Sequence, residues 1–317
     1  MAFPVQAPFN VSPAYSGNFI PTLWSGKLAE KFYAASTFAD CSNTDWEGDI
    51  KSMGDTVRIN QIPTMTINNY VAGQTLNYEV QTASYIDLQI NQGKYFGFQV
   101  NDVLEYQAKP NLMDTFSNDA GNQMKIAIDR DCWAALWNQG AAANYGASAG
   151  ALTSAYNLGT DTAPVTLTGA NILSTINALG AVLDEQNVPE TDRFLVLTPY
   201  DRQVLMSSNL AQAQFMGDST SIQRNGKIGQ IDRFTVYVSN LLPVGAAGKD
   251  WAGVTAAGTA KRHCMIAGHK AAMSFAAQIN KVETLQNPND FGQLIRGLNV
   301  YGRQITQASA LTAAVVA

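Results

Sequence analysis

Residues able to do acid–base, nucleophilic or metal chemistry are few in this chain. It has two histidines, His263 and His269, and three cysteines, Cys41, Cys132 and Cys264. Zinc needs three or four ligands at defined spacing, and no second pair completes His263-Cys264. No metal site is therefore expected. Cys132 falls on the apolar face of a helical pattern, which is a core position. Two carboxylate clusters, Asp129-Arg130-Asp131 and Asp184-Glu185, lie in helical patterns. Successive side chains on a helix diverge, so neither cluster is a ready acid/base pair, and a solvated face or an inter-subunit ion pair is expected. Phosphate chemistry lacks its loops: there is no G-x-G-x-x-G, and neither Gly226-Lys227 nor Gly248-Lys249 is followed by Ser or Thr. No G-x-S-x-G elbow occurs. One stretch has the outline of a site. VPETDRFLVLTPYDRQVLMSS, Val188 to Ser208, reads as a strand ending in a turn that opens a helix, where α/β enzymes often place chemistry. It offers Thr198, Tyr200, Asp201 and Arg202, yet no base stands near them in sequence. The expected reading is no enzyme, no catalytic residues and no cofactor, with a pocket at Thr198–Arg202 as the alternative.

The elements around these residues come from composition and periodicity. The chain has 317 residues, 46% hydrophobic and only 14% charged, against about 25% charged in ordinary domains. A surface this poor in charge repels its own copies weakly, so self-association is expected. A formal net charge of −5 disfavours an electrostatic nucleic-acid binder, which would carry basic stripes. Three separated cysteines without a CxxC fit a reducing compartment. MAFPVQAPFN has no basic segment leading into an apolar one, so no export signal is expected, and no apolar run is long enough to span a bilayer.

Residues 1 to about 19 read as an extended arm, and a helix is expected from Pro21. Period-two alternation follows at Val57 and Ile59, at Ile86, Leu88 and Ile90, and at Phe96, Phe98 and Val100. Between the first two groups, Gln61 to Ser84 is long, polar and almost uncharged. It is expected to project as a hairpin, having too little apolar face for core. A helix over 112–137 is the clearest element: Phe116, Ala120, Met124, Ile128, Cys132 and Leu136 recur every four residues, with Asn111 as N-cap. A second helix carries Ile172, Ile176, Leu179 and Leu183. A strand runs through Phe234, Val236 and Val238, and a Gly/Ala-rich loop follows Val244. By pattern alone, CMIAGHKAAMSFAAQINKV fits helix or strand.

The order of these parts, together with several phrases, resembles the major capsid proteins of tailed double-stranded DNA phages, of the Hong Kong 97-type fold and its podophage-like branch. NVSPAYSGNFIPTLWSGKLAEKFY followed by GDTVRI is similar to the arm and first strand. VPETDRFLVLTPYDRQVLM and GKIGQIDRFTVYVSNLLP are similar to the axial domain, and AGHKAAMSFAAQINKVE and FGQLIRGLNVYGRQITQASAL to the closing strands. The resemblance implies an α+β fold: an N-terminal arm over 1–37, the start of a peripheral domain over 38–60, an extended β-hairpin loop over 61–84, and peripheral domain over 85–159 with the spine helix 112–137. An axial α/β domain over 160–262 and peripheral closing strands over 263–317 complete it. It also makes the ambiguous segment strand. It implies self-assembly as pentamers and hexamers into an icosahedral head around double-stranded DNA, touched weakly and without sequence preference; the alternatives are a cytoplasmic α/β enzyme with its pocket near Thr198–Arg202, or another self-assembling virion protein. The implied partners are other copies of the chain, a separate scaffolding protein (the arm begins almost at Met1), a portal, and a decoration or cement protein, with no membrane. The implied location is the virion, and the host cytoplasm during assembly.

Overall fold

A computed structural model describes residues 33–34, 36–46, 56–63, 65–76, 78–101, 112–208, 229–245, 262–288 and 291–317. The expected arm, the helix from Pro21, Asn111 and most of the Gly/Ala-rich loop lie outside these residues. The strands fall into three sheets. In the smallest, β1 (Thr56–Gln61) pairs antiparallel with β2 (Ser84–Gln89). A three-stranded sheet has β3 (Gln92–Asn101) at one side. The largest is six-stranded and includes β4 (Arg193–Leu197), β5 (Gln230–Ile231), β6 (Phe234–Val238) and β7 (Val244–Gly245). Its remaining strands are β8 (Arg262–His269) and β11 (Leu311–Val316), while β9 (Met273–Gln286) and β10 (Gly292–Ile305) complete the three-stranded sheet.

The segment 263–317 is divided between the two larger sheets. β8 pairs with β4 and β11, whereas β10 runs between β3 and β9. Burial gives the reason. β11, LTAAVV, is buried throughout, and β8 is buried at all but its two histidines, so both suit a sheet covered on both faces. β10 alternates buried and exposed positions from Ile295 to Leu298, as a sheet covered on one face requires. The segment read as helix or strand is two strands joined by a short 3₁₀ turn at Lys270–Ala272. β2 and β3 are separated only by Ile90-Asn91, yet they pair with different partners.

Four α-helices are described: α1 (Phe38–Cys41), α2 (Leu112–Leu136), α3 (Ile172–Glu185) and α4 (Pro199–Met206). On α3, Ile172, Ile176, Leu179 and Leu183 are all fully buried, and the helix lies against β8 and β11. Each aliphatic side chain buried this way contributes about 1.5–3 kcal/mol. α2 corrects the expected stripe. Steps of four residues advance about 40° too far on a 3.6-residue helix, so the series from Phe116 to Leu136 swings about 200° round the axis. The buried face is instead Asp129, Cys132, Trp133, Leu136 and Trp137, spaced i, i+3, i+4, i+7, i+8. Further up the helix, Phe116 meets Phe98 edge-on at 6.0 Å. Phe98 stacks with Phe96, whose ring occupies the place where a side chain on Gly297 would stand.

One core joins the two larger sheets. Trp133 is wholly buried, with its ring edge-on to Phe38 of α1 at 5.1 Å and tilted against Phe194 of β4 at 6.3 Å. Phe38 also meets Phe275 of β9 at 5.9 Å. Replacing Trp133 with Ala removes the side chain that makes two of these three contacts and is expected to cost about 3–5 kcal/mol. Urea unfolding measures this, and a loss below about 1 kcal/mol would show that the sheets are not held through this residue.

Candidate functional site

The turn at Thr198 is built as a helix start. Thr198 Oγ1 accepts the Asp201 N–H at 3.3 Å, and Asp201 Oδ2 accepts the Thr198 N–H at 3.0 Å, forming a capping box with Pro199 in the first turn. The Thr198 hydroxyl donates to the same Oδ2 at 2.8 Å. The base that sequence reasoning did not find is present: His263 Nε2 lies 2.6 Å from Asp201 Oδ1. It arrives from β8, 62 residues further along the chain, because β8 runs beside β4 in the sheet. Tyr200 stands edge-on to the imidazole at 5.9 Å, and the Cys264 thiol donates to the Pro243 carbonyl at 3.5 Å. Burial pushes that thiol well above its usual range, the nearby Asp201 adding to the effect. A buried protonated thiol is no nucleophile. Among the described residues the only hydroxyl bonded to Asp201 is the Thr198 cap, so there the Asp–His pair joins α4 to β8 without a nucleophile beside it.

The other residues singled out in sequence are intrachain anchors. His269 Nδ1 accepts the Ala271 N–H at 3.1 Å and caps the 3₁₀ turn. Asp131 accepts the Tyr301 hydroxyl at 2.6 Å and pairs with Arg303. Asp184 bonds Arg193 and Arg233, each at 2.8 Å. Partial burial alone would raise the Asp184 carboxyl, but the Arg233 and Arg193 guanidiniums hold it below its usual value. Glu185 lies lower still in exposure and is held down by the Thr153 hydroxyl and the backbone N–H groups of Leu152 and Thr153. The expected solvated or inter-subunit roles for these carboxylates are thus replaced by local ones. Among the described residues no group of three His, Cys, Asp or Glu is placed to hold a metal.

The surface points elsewhere. From Ile62 to Ala83 every residue whose burial is described is exposed apart from Pro63 flanking it. The segment leaves the body at Gln61, turns where Gln74 N–H meets the Val71 carbonyl, and returns at Ser84. Its root is well fixed. Arg58 pairs with Asp87 across the strands at 3.0 Å, Gln61 Nε2 donates to the Thr306 carbonyl at 3.2 Å, and Ile59, Leu88, Ile90 and Ala276 form a small core of their own. The segment is not core, yet it presents a row of apolar side chains. Met65, Ile67 and Val71 on the way out, and Leu76, Tyr78 and Val80 on the way back, fall on a two-residue period and stand in solvent, Ile67 at 91%, Tyr78 at 87% and Val80 at 95%. That many exposed apolar side chains in one segment mark a surface meant to be covered.

The face of the three-stranded sheet turned away from α2 is also open. Tyr95, Leu298 and Leu285 are exposed there beside a Lys281–Glu283–Arg296 ion network. Tyr95, Lys281, Glu283, Arg296 and Leu298 line a shallow cleft of about 380 Å³.

With this geometry in place, comparison with known proteins gives the class. Residues 84–314 match the family described as "Phage capsid protein", and the chain belongs to that family. Among solved structures, one from Mycobacterium phage Che8 is 25% identical over 94% of this chain and 97% of its own, with a TM-score of 0.75. The capsid of cyanophage P-SCSP1u is 16% identical over 94% and 93%, with a TM-score of 0.71. The mature capsid of bacteriophage PhiM1 is 15% identical over 98% and 99%, at 0.69. The same comparison made with curated proteins returns no match. The fold is Hong Kong 97-like, and the protein is a structural component of a bacteriophage capsid, not an enzyme.

Asp201 therefore matters for stability. Asp201→Ala leaves the His263 ring and the Thr198 N–H and hydroxyl without their shared acceptor, at an expected cost of about 2–4 kcal/mol. Thr198→Ala removes only one side of the cap and should cost about 1 kcal/mol. Urea unfolding of both variants checks the order, and equal losses would refute the Asp201–His263 tie.

Proposed function

We propose that copies of this chain assemble as pentamers and hexamers into a closed icosahedral head around double-stranded DNA. In this reading the six-stranded sheet with α3 and α4 is the axial domain. The three-stranded sheet with α2 as its spine is the peripheral domain, and residues 61–84 are the extended loop. The observation that carries the proposal is the run of exposed apolar side chains from Ile62 to Val80 on a hairpin with a firmly fixed root. Cover by another subunit removes that apolar surface from water, at about 25 cal/mol per Å². The low charge of the chain weakens repulsion between copies.

Other roles follow from the same reading. A separate scaffolding protein sets the shell curvature, a portal occupies one vertex, and a decoration or cement protein can add to the outer surface. Assembly takes place in the host cytoplasm, before DNA is packaged. With a net charge of −5, contact with the packaged DNA is weak and independent of base sequence. The loop from Gln61 to Ser84 contains no lysine, so it supplies no amine for covalent joining and the shell is held by packing.

The test removes the hairpin and keeps its root. A chain lacking residues 62–83, with Gln61 joined to Ser84 by a short glycine linker, is expected to fold with near wild-type stability yet form no closed shells when co-expressed with scaffold. Negative-stain microscopy and size-exclusion chromatography give the readout. Normal shells from the shortened chain would overturn the role given to the hairpin.

A further inference from the structure

Asp129 is a carboxylate on the buried face of α2, only 2% exposed, and its acceptor capacity goes to a distant stretch of backbone. Oδ1 accepts the Phe38 N–H at 2.8 Å and Oδ2 accepts the Thr37 N–H at 3.3 Å, from 91 and 92 residues earlier in the chain. The Ser36 hydroxyl bonds to the same carboxylate. Thr37 precedes α1 without capping it through its own side chain, so Asp129 satisfies N–H groups that the start of this short helix leaves open. A few residues on, the chain is fastened again. Asn43 donates its N–H to the Met273 carbonyl at 2.8 Å and accepts the Phe275 N–H at 3.0 Å, extending the edge of β9. Between these two points Phe38 is clamped by Trp133 and Phe275.

We propose that Asp129 is the positioning residue that fixes residues 36–38 against the spine helix, and that its hold on them depends on protonation. Burying a carboxylate among apolar rings costs several kcal/mol that a neutral residue would avoid. The compensation visible here is the grip on residues 36–38; three residues earlier the Tyr33 hydroxyl donates to Asp119 of the same helix at 2.8 Å, but at an exposed position. The hold is separate from how copies are arranged in a shell, and it operates in a single chain.

The titratable groups around it are Asp40 and Cys41 of α1 and Cys132 of its own helix. Lys270, from the turn before β9, and Tyr237, from β6, act on Cys41 from further out. Burial holds the Asp129 carboxyl above its ordinary value, against the pull of the Phe38, Thr37 and Ser36 bonds, and Asp40 adds to the rise. The sign follows by linkage. Once residues 36–38 detach, the carboxyl meets water and returns to its ordinary value. The attached state therefore binds a proton more readily, and the grip is strongest below the ordinary carboxylate range. It weakens as pH rises through the raised value.

The measurement is amide hydrogen exchange at Thr37, Phe38 and Trp133 in the full-length unassembled protein, corrected for intrinsic rates, from about pH 4 to about pH 8. In Asp129→Ala the Thr37 and Phe38 amides are expected to exchange at least about tenfold faster at every pH, with Trp133 unchanged. In Asp129→Asn, a neutral side chain that keeps one acceptor oxygen, protection is expected to persist but to be flat across the range where that of wild type declines. Unchanged Phe38 protection in Asp129→Ala would overturn the proposal, as would a wild-type pH profile in Asp129→Asn. Should Asp129→Ala fail to fold, the profile of Asp129→Asn decides alone.

Discussion

The indole of Trp133 lies where three separated stretches of chain have to meet: Phe38 from near the start, Phe194 from the six-stranded sheet, and, through Phe38, Phe275 from the three-stranded sheet. A sheet covered on one face and a sheet covered on both have no reason of their own to hold a fixed relation. The final turns of α2 impose one, because Cys132, Trp133, Leu136 and Trp137 are buried in the core that also contains β4, β8 and β11. Dense packing makes that relation stiff. The outer part of α2 then acts as a strut, carrying the three-stranded sheet through the contact of Phe116 with Phe98.

Rigidity in the body gives meaning to the exposed hairpin. Its root is fixed by a register of six residue pairs between β1 and β2 and by the bond from Gln61 to Thr306, so its direction is inherited from the body. Its apolar side chains nevertheless find no cover among the described residues. Membership of the phage capsid family supplies the reason, since such proteins function as assemblies. The Asp184–Arg193 ion pair and the Asp201–His263 tie belong to the stiff body, while the hairpin and the open sheet face stand exposed on it.

How far the sequence shows this depends on the range of the interaction. The helix over 172–185 is legible because four aliphatics at helical spacing need only local geometry. The strands through Phe96 and Phe234 are legible for the same reason at period two. β8 is not, because a run such as CMIAG, buried on both faces, has no periodicity to separate strand from helix. Nor is the meeting of His263 with Asp201, or of Asp129 with Phe38, which depends on which strands and helices become neighbours. The hairpin was legible as a projection but not as an apolar one. Its scarcity of charge draws attention away from the alternation of Met65, Ile67, Val71 and Leu76, Tyr78, Val80. The family likeness was carried by the order of phrases across the whole chain, and no single motif carried it.

The central claim, that the exposed hairpin is covered by another copy, can be read directly by thiol labelling. All three native cysteines are buried, so Val80→Cys places one reactive thiol at a position 95% exposed in the single chain. Its labelling rate with a maleimide dye is compared between dissociated protein and purified shells. The account predicts rapid labelling of the dissociated chain and labelling slower by at least about tenfold in shells. Equal rates in the two states would contradict it.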